Sequence, residues 1–284
     1  MNYIEFPNLG LKFNIDPVAF KIGNFEIYWY AIIIAVGIVL GFLYACHFCK
    51  RDGEDTEMLY DVLLFGLPSA IICARIYYVV FNFDAYRNNF WDVFKIHEGG
   101  IAIYGAVIGA VISTYIYARV KKINFLKLFD YGAAGLFVGQ AVGRWGNFVN
   151  QEAFGGNYSG ILSMKGDIIA DTLKIMQESG MEVDPSIGVH PTFLYESFWN
   201  LIGIIIIPFI FKKKNHTGKP FAFYIGWYGI GRFFIEGMRT DSLMLTETIR
   251  VSQVVAIVSV VLSAVLFVIL NKKKEEEPEL NGGA

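Results

Sequence analysis

Long apolar stretches separated by short polar loops set the pattern of this chain. A membrane-crossing helix needs about 20 mostly apolar residues. On that length, segments at Tyr28–Phe48, Met58–Phe81, Ile101–Tyr117, Phe125–Val142, Thr192–Phe211, Phe221–Glu236 and Val251–Leu270 qualify, the third and sixth being short or interrupted by polar groups. The pattern predicts an all-α, polytopic membrane protein with seven transmembrane helices.

Lysines and arginines orient these spans. Lys50-Arg51, Arg119 with Lys121-Lys122 and Lys127, Lys212-Lys213-Lys214 with Lys219, and Lys272-Lys273-Lys274 follow spans one, three, five and seven. Short cytoplasmic loops carry such excess positive charge, so the N-terminus is expected outside and the C-terminus in the cytoplasm. Three parts follow: an extracytoplasmic N-terminal segment at 1–27, a membrane domain at 28–270, and a polar tail at 271–284 expected to be disordered. The membrane domain includes an extracytoplasmic loop at about 156–189. Within that loop, IIADTLKIMQESG repeats apolar residues at helical spacing. A small helix and a mobile loop both remain open for it. The first residues lack the basic and apolar pattern of a cleaved signal, so the first span is expected to be retained.

Composition agrees with the pattern: 55% of the 284 residues are apolar and only 18% charged, with a mean hydropathy of +0.45. A net charge of −2 gives no reason to expect a nucleic-acid partner. Of the three cysteines, Cys46 and Cys49 fall in CHFC at the end of the first span and Cys73 lies in the second. One such pair on a helix end suggests packing rather than a disulfide framework or a zinc site. No metal or cofactor is expected.

Against this apolar background the stretch GRWGNFVNQEAFG, Gly143 to Gly155, stands out. An ionisable residue inside a span costs roughly 2.5–3.5 kcal/mol on insertion scales and therefore raises a functional question. Arg75, Arg144, Arg232 and Arg239 all raise it, and the topology brings them toward the outer half of the membrane. Tyr30, Tyr104, Asn147, Asn150, Glu152, His190, Glu196, Tyr228, Glu236 and Asp241 are expected at the same side. Taken singly, Tyr30, Glu196 and Asp241 read as caps, interfacial anchors or structural ion pairs; their common depth points to a polar cavity opening outward. Arginine's planar fork binds phosphate bidentately and keeps its charge where water is scarce. Such a cavity suits a phospholipid headgroup whose acyl chains stay in the bilayer.

The stretch Gly143–Gly155 resembles the signature of prolipoprotein diacylglyceryl transferases, Gly-Arg-x-Gly-Asn-Phe-x-Asn-x-Glu-x-x-Gly, at every fixed position. IDPVAFKIGNFEIYWYA, GGIAIYGAVIG, HPTFLYES and YGIGRFFIEGMRTD extend the resemblance over nearly the whole chain up to the last helix. It implies an enzyme of the bacterial cytoplasmic (inner) membrane that catalyses the first step of lipoprotein maturation. The diacylglyceryl group of phosphatidylglycerol moves to the lipobox cysteine thiol of a prolipoprotein signal peptide, and glycerol phosphate is released. The partners implied are phosphatidylglycerol, the prolipoprotein and membrane lipid. On this reading Arg144, Arg232, Tyr104 and Glu152 are the candidate catalytic residues; Tyr30, Asn147, Gly155, Tyr228, Glu236 and Arg239 are candidates for substrate binding. Many members carry His-Gly-Gly where this chain reads Tyr104-Gly105-Ala106. A phenol with a pKa near 10 is a poor base at neutrality, so either Tyr104 only positions a group or another residue takes the proton; His190 and Glu152 are the candidates, and His97, nearby in sequence, reads as an exposed loop residue. The alternative functional class is a transporter or lipid-handling channel with a cationic outward vestibule. Such folds show broken helices in two related halves, and no such repeat is evident in the sequence.

Overall fold

The computed structural model describes residues 2–87, 90–95, 99–213, 215–246 and 249–276. His97 and residues 277–284 of the tail lie outside them. The long helices are α1 (Trp29–Arg51), α2 (Glu57–Phe81), α3 (Ile103–Lys121), α4 (Phe125–Asn150), α6 (Thr192–Phe211), α7 (Lys219–Met238) and α8 (Val251–Glu276), with a shorter α5 at Asp167–Glu178. α8 continues past the expected end at Leu270 to Glu276. Among the described residues, α1, α2, α3, α6 and α8 are long and apolar enough to cross a membrane, so the chain is a polytopic, mostly helical membrane protein. α4 and α7 have comparable length but carry ions: Lys127, Asp130 and Arg144 in one, Lys219, Arg232 and Glu236 in the other.

The expectation of an all-α fold is corrected by five short strands. β1 (Tyr3–Phe6), β2 (Leu11–Asn14) and β5 (Lys165–Gly166) form an antiparallel sheet in the order β2-β1-β5, while β3 (Val18–Ile22) pairs with β4 (Phe25–Tyr28). Short alternating runs such as Tyr-Ile-Glu-Phe bury one side of a strand, and a search for spans of 20 residues passes over them. The β3–β4 hairpin turns through Gly23-Asn24, with Gly23 at φ 60°. Glycine takes that left-handed value at the first central position of a type II′ turn without steric cost. A second correction concerns Gly143–Gly155: α4 does not end at Val142 but continues through Asn150, so Asn147 and Asn150 are helical.

The chain divides into two compact units, one of Met1–Tyr44 with Gly132–Ala284 and one of Ala45–Tyr131. In the second, Gly105 and Gly109 let α3 approach α2 so closely that a methyl on Gly109 would stand 2.6 Å from the Ser69 carbonyl oxygen. Small residues spaced by four are what membrane helices use for close approach. Arg75 is buried in this unit and spends its fork on backbone carbonyls: Nε donates to Val93 (2.8 Å), Nη2 to Asp92 (2.6 Å), and Nη1 to Gly99 (2.7 Å) and Gly100 (2.8 Å). It therefore ties down the connection between α2 and α3.

In the first unit, Gly37 and Gly41 of α1 face Gly139 and Gly135 of α4. α6 and α7 are joined by Trp199 and Trp227, whose rings stack at 4.3 Å while each indole donates to the other's backbone carbonyl, at 2.8 and 3.0 Å. Ser263 of α8 donates to the Ala222 carbonyl of α7 (2.6 Å). A small core outside these helix contacts joins Ile4 and Phe6 of β1, Phe148 and Val149 of α4, Phe154, Ile169 and Leu173 of α5, Val189, and Phe193 of α6. The stretch left open between helix and loop is the amphipathic helix α5, its Ile169 and Leu173 one turn apart in that core.

A methyl on Gly41 would stand 2.5 Å from the Gly135 carbonyl oxygen, whereas nothing lies within 4 Å of one on Gly132. Gly41→Ala is therefore expected to destabilise the protein by about 1–3 kcal/mol through overpacking. Gly132→Ala should be neutral or stabilising by up to about 1 kcal/mol. Thermal unfolding in detergent checks the contrast.

Candidate active site

The last turns of α4 present two different faces. Arg144 and Asn147, three apart, share one side; Trp145, Phe148 and Val149 lie on the other. Phe148 packs on Phe193 of α6, with ring centroids 4.9 Å apart, and on Phe6 of β1 at 6.3 Å. The apolar face thereby fixes the helix rotation that aims Arg144. Beyond the helix, Gln151 and Ala153 take left-handed φ of 52° and 56°. The buried Gln151 side chain accepts from the backbone N–H of Ile168 (3.1 Å) and Ile169 (3.4 Å), capping α5.

Arg144 meets Glu196, which α6 contributes one turn from its start. Their Nη2 and Oε2 lie 2.5 Å apart. The other carboxylate oxygen of Glu196 is 3.3 Å from Nη1 of Arg232 on α7, and Arg232 Nη2 lies 2.6 Å from Glu236 Oε2 one turn further along the same helix. The result is an alternating chain, Arg144–Glu196–Arg232–Glu236, carried by three helices. Glu196 and Glu236 are only 5% and 2% exposed, so leaving either carboxylate unpaired would be costly. The arginine side chains keep 20% and 15% of their surface open. The four charges sum to zero, yet the accessible part is guanidinium. That is the arrangement an incoming anion requires: fixed donors with free edges, prealigned by carboxylates behind them.

Around this chain, Asn147 accepts weakly from Arg144 (3.4 Å) and donates to the exposed Glu152 (2.8 Å), as does Asn150 (3.4 Å). Tyr30 lies against α4, where a methyl on Gly146 would stand 2.7 Å from its ring. Tyr228 stacks near Tyr224 at 6.1 Å, and Tyr224 accepts from Gln140 (2.9 Å). Arg239, just past α7, grips Asp241 with two bonds of 2.9 and 2.7 Å. Burial opposes the Asp241 charge, but the Arg239 fork outweighs it and holds the carboxyl below the usual range. Gly155 is part of the framework: its N–H donates to the His190 carbonyl (3.0 Å) and it bridges to Arg239. His190 stacks on Tyr158 at 4.1 Å and places Nδ1 3.2 Å from the Tyr195 hydroxyl. Burial lowers its pKa below the ordinary histidine value, favouring the neutral ring. Tyr104 belongs to the second unit, in α3, with its ring 6.3 Å from Tyr77.

The structure thus joins Arg144, Asn147 and Glu152 in one hydrogen-bonded group, and Arg144, Arg232 and Glu236 in one ionic chain. The link between the arginines is Glu196, which the sequence reading leaves as a cap or structural pair. A signal for it was present. Glu196 is the only charged residue in the 20 residues of α6, and a lone carboxylate in so apolar a helix requires a cation. The same unit holds an almost wholly apolar groove of about 600 Å³, walled by α1, α4 and α6 and including Trp145 and Ser197.

Glu196→Ala would leave two inward guanidiniums without their shared partner. It is expected to cost about 3–5 kcal/mol, the range for breaking a buried pair. Asp241→Ala, at a partly exposed pair, should cost about 1 kcal/mol or less. Equal shifts in the unfolding midpoints of the two variants would contradict the central place given to Glu196.

The family model for prolipoprotein diacylglyceryl transferase matches residues 17–269. Relatives named phosphatidylglycerol–prolipoprotein diacylglyceryl transferase include one from Clostridium kluyveri, 46% identical over 256 residues, covering 90% of this chain and 97% of its own. One from Listeria innocua is 46% identical over 263 residues, covering 89% of each chain. One from Lysinibacillus sphaericus is 43% identical over 262 residues, covering 90% of this chain and 93% of its own. With its signature stretch built into a buried arginine–glutamate chain and a family match spanning most of its length, the protein belongs to the prolipoprotein diacylglyceryl transferase family.

Proposed function

We propose that this protein transfers the diacylglyceryl group of phosphatidylglycerol to the lipobox cysteine thiol of a prolipoprotein. In the reaction the cysteine sulfur forms a bond to the terminal glycerol carbon. The bond from that carbon to the phosphate oxygen breaks, its electron pair leaves with glycerol phosphate, and the thiol proton passes to a base. The nucleophile belongs to the substrate. A free thiol with a pKa of about 8.5 is only a few per cent thiolate near neutrality, so the enzyme must help with the proton and with charge growing on the leaving phosphate.

The observation that carries this reading is the pair of partly open guanidiniums, Arg144 and Arg232, held in fixed relation by buried carboxylates. In this role the arginines bind the lipid phosphate and stabilise it as it departs. The apolar groove walled by α1, α4 and α6 suits acyl chains. Asn147 and Glu152 orient the lipid or Arg144; Tyr30 and Tyr228 hydrogen-bond nearby; Glu236 keeps Arg232 in place; Arg239 and Gly155 line the polar edge. His190, whose neutral ring burial favours, is the candidate proton acceptor. The reading includes seven spans, with α4 and α7 crossing as well, an N-terminus outside the cytoplasmic membrane, and a site facing outward. Basic clusters at the ends of α1, α3 and α8 and after α6 support that orientation.

Purified protein in vesicles containing phosphatidylglycerol should add the diacylglyceryl mass to a lipobox peptide. A folded preparation that transfers nothing would sink the proposal. Arg144→Ala and Arg232→Ala are each expected to reduce turnover by about 10²–10³, the usual loss for one charge-stabilising donor. Membrane insertion should persist, because removing a charge favours it. Tyr104→Phe is expected to slow turnover by only about tenfold or less, since a phenol positions a group rather than taking a proton at pH 7. A loss as deep as that of the arginine variants would return Tyr104 to the proton path.

A further inference from the structure

Glu196 occupies the position an anion bound between the two arginines would take. Its Oε2 lies 2.5 Å from Arg144 and its Oε1 3.3 Å from Arg232, so one planar, two-oxygen anion already spans both cations. Glu236 does not duplicate it: that carboxylate reaches Arg232 alone, from the same helix, one turn away. Glu196 comes from a different helix and is the partner the two arginines share. We propose that Glu196 is an internal counter-anion, competing with phosphate for Arg144 and Arg232 so that the glycerol phosphate product is held weakly enough to leave. This rests on the reading of the two arginines as the phosphate site.

The need for such a group follows from the charges. Phosphatidylglycerol is a phosphodiester with one negative charge, whereas the released monoester carries about −1.5 to −2 at pH 7. A bare pair of guanidiniums would therefore bind product more tightly than substrate, and each turnover would end in a trapped enzyme. With Glu196 between them the resting chain is neutral, two arginines against Glu196 and Glu236. A phosphate must then displace, or share donors with, a carboxylate already bound in the same two-pronged way. The exchange replaces charge-assisted hydrogen bonds with others of the same kind, so the cations meet no unpaired state on binding or release. The arginines remain more open than the carboxylate, with side chains 20% and 15% exposed against 7%. The phosphate can therefore engage their free edges before Glu196 yields. Glu196 acts through the arginines and is a positioning residue.

Glu196→Gln keeps the size and shape of the side chain, removes the charge, and leaves one acceptor oxygen for the two arginines in place of two. Full-length protein in detergent, titrated with glycerol phosphate and followed by thermal unfolding, reports affinity without any need for turnover. The Gln variant is expected to bind glycerol phosphate about tenfold more tightly than the unaltered protein, the effect of removing one nearby charge. In the vesicle assay its kcat should fall while inhibition by added glycerol phosphate becomes about tenfold stronger. Glu196→Asp, shorter but still charged, should fall between, about two- to threefold tighter, and it decides the matter if the Gln variant does not fold. A purely structural Glu196 would lower stability or activity without tightening glycerol phosphate binding, and that result overturns the proposal. If glycerol phosphate stabilises none of the proteins and no peptide is modified, the parent reading fails instead. Peptide transfer with unchanged glycerol phosphate affinity in both variants removes only the role given to Glu196.

Discussion

A carboxylate held between two guanidiniums in an apolar setting governs the architecture of the first unit. Glu196 reaches Arg144 on α4 and Arg232 on α7 from its own helix α6, so three helices must keep one relative rotation for the charges to meet. The cost of getting that wrong is large, because an uncompensated ion in such surroundings loses its hydration and gains nothing. The apolar contacts of these helices are consistent with one rotation each: Gly37 and Gly41 seat α4 on α1, and the reciprocal Trp199–Trp227 pair locks α6 to α7. Ion pairing sets what the packing must deliver.

The end of α4 shows how one short stretch serves both demands. Arg144 and Asn147 point into the polar chain, while Phe148 and Val149 enter a small core with Ile4, Phe6, Leu173 and Phe193. Gln151 then caps α5 from a left-handed turn. The short strands and α5 therefore brace the arginine, since the core they build is the surface against which α4 is turned. Function and framework share the same thirteen-residue signature because a helix of 3.6 residues per turn separates its faces within a few positions.

Arg75 and Arg144 make an instructive contrast. Both are buried or nearly so and both are arginines in apolar helices. Arg75 meets four backbone carbonyls and becomes part of a loop closure. Arg144 meets one carboxylate and one amide and keeps part of its fork free. The chemistry open to each is decided by what consumes its donors, and residue type carries none of that information.

Helix positions were legible in the sequence because the bilayer imposes a length and an apolarity that local composition records directly; the bounds of the fifth span, Thr192–Phe211, match α6 residue for residue. The signature Gly143–Gly155 likewise drew attention to Arg144, which the structure pairs with Glu196, since polar residues in so apolar a chain carry their own cost. The strands β1 to β5 escaped because runs of two to five residues fall below the length a search for spans detects, and the pairing of β1 with β5 joins residues more than 150 positions apart. The bridging role of Glu196 and the loop-closing role of Arg75 were equally undecided, because ion pairing depends on distances between helices. The sequence alone determined that the chain crosses a membrane and that arginines near its polar signature had to be satisfied. Only the tertiary structure decided which carboxylate satisfies which arginine, because close helix approach through glycine and the aromatic lock between α6 and α7 select a single rotation for each helix.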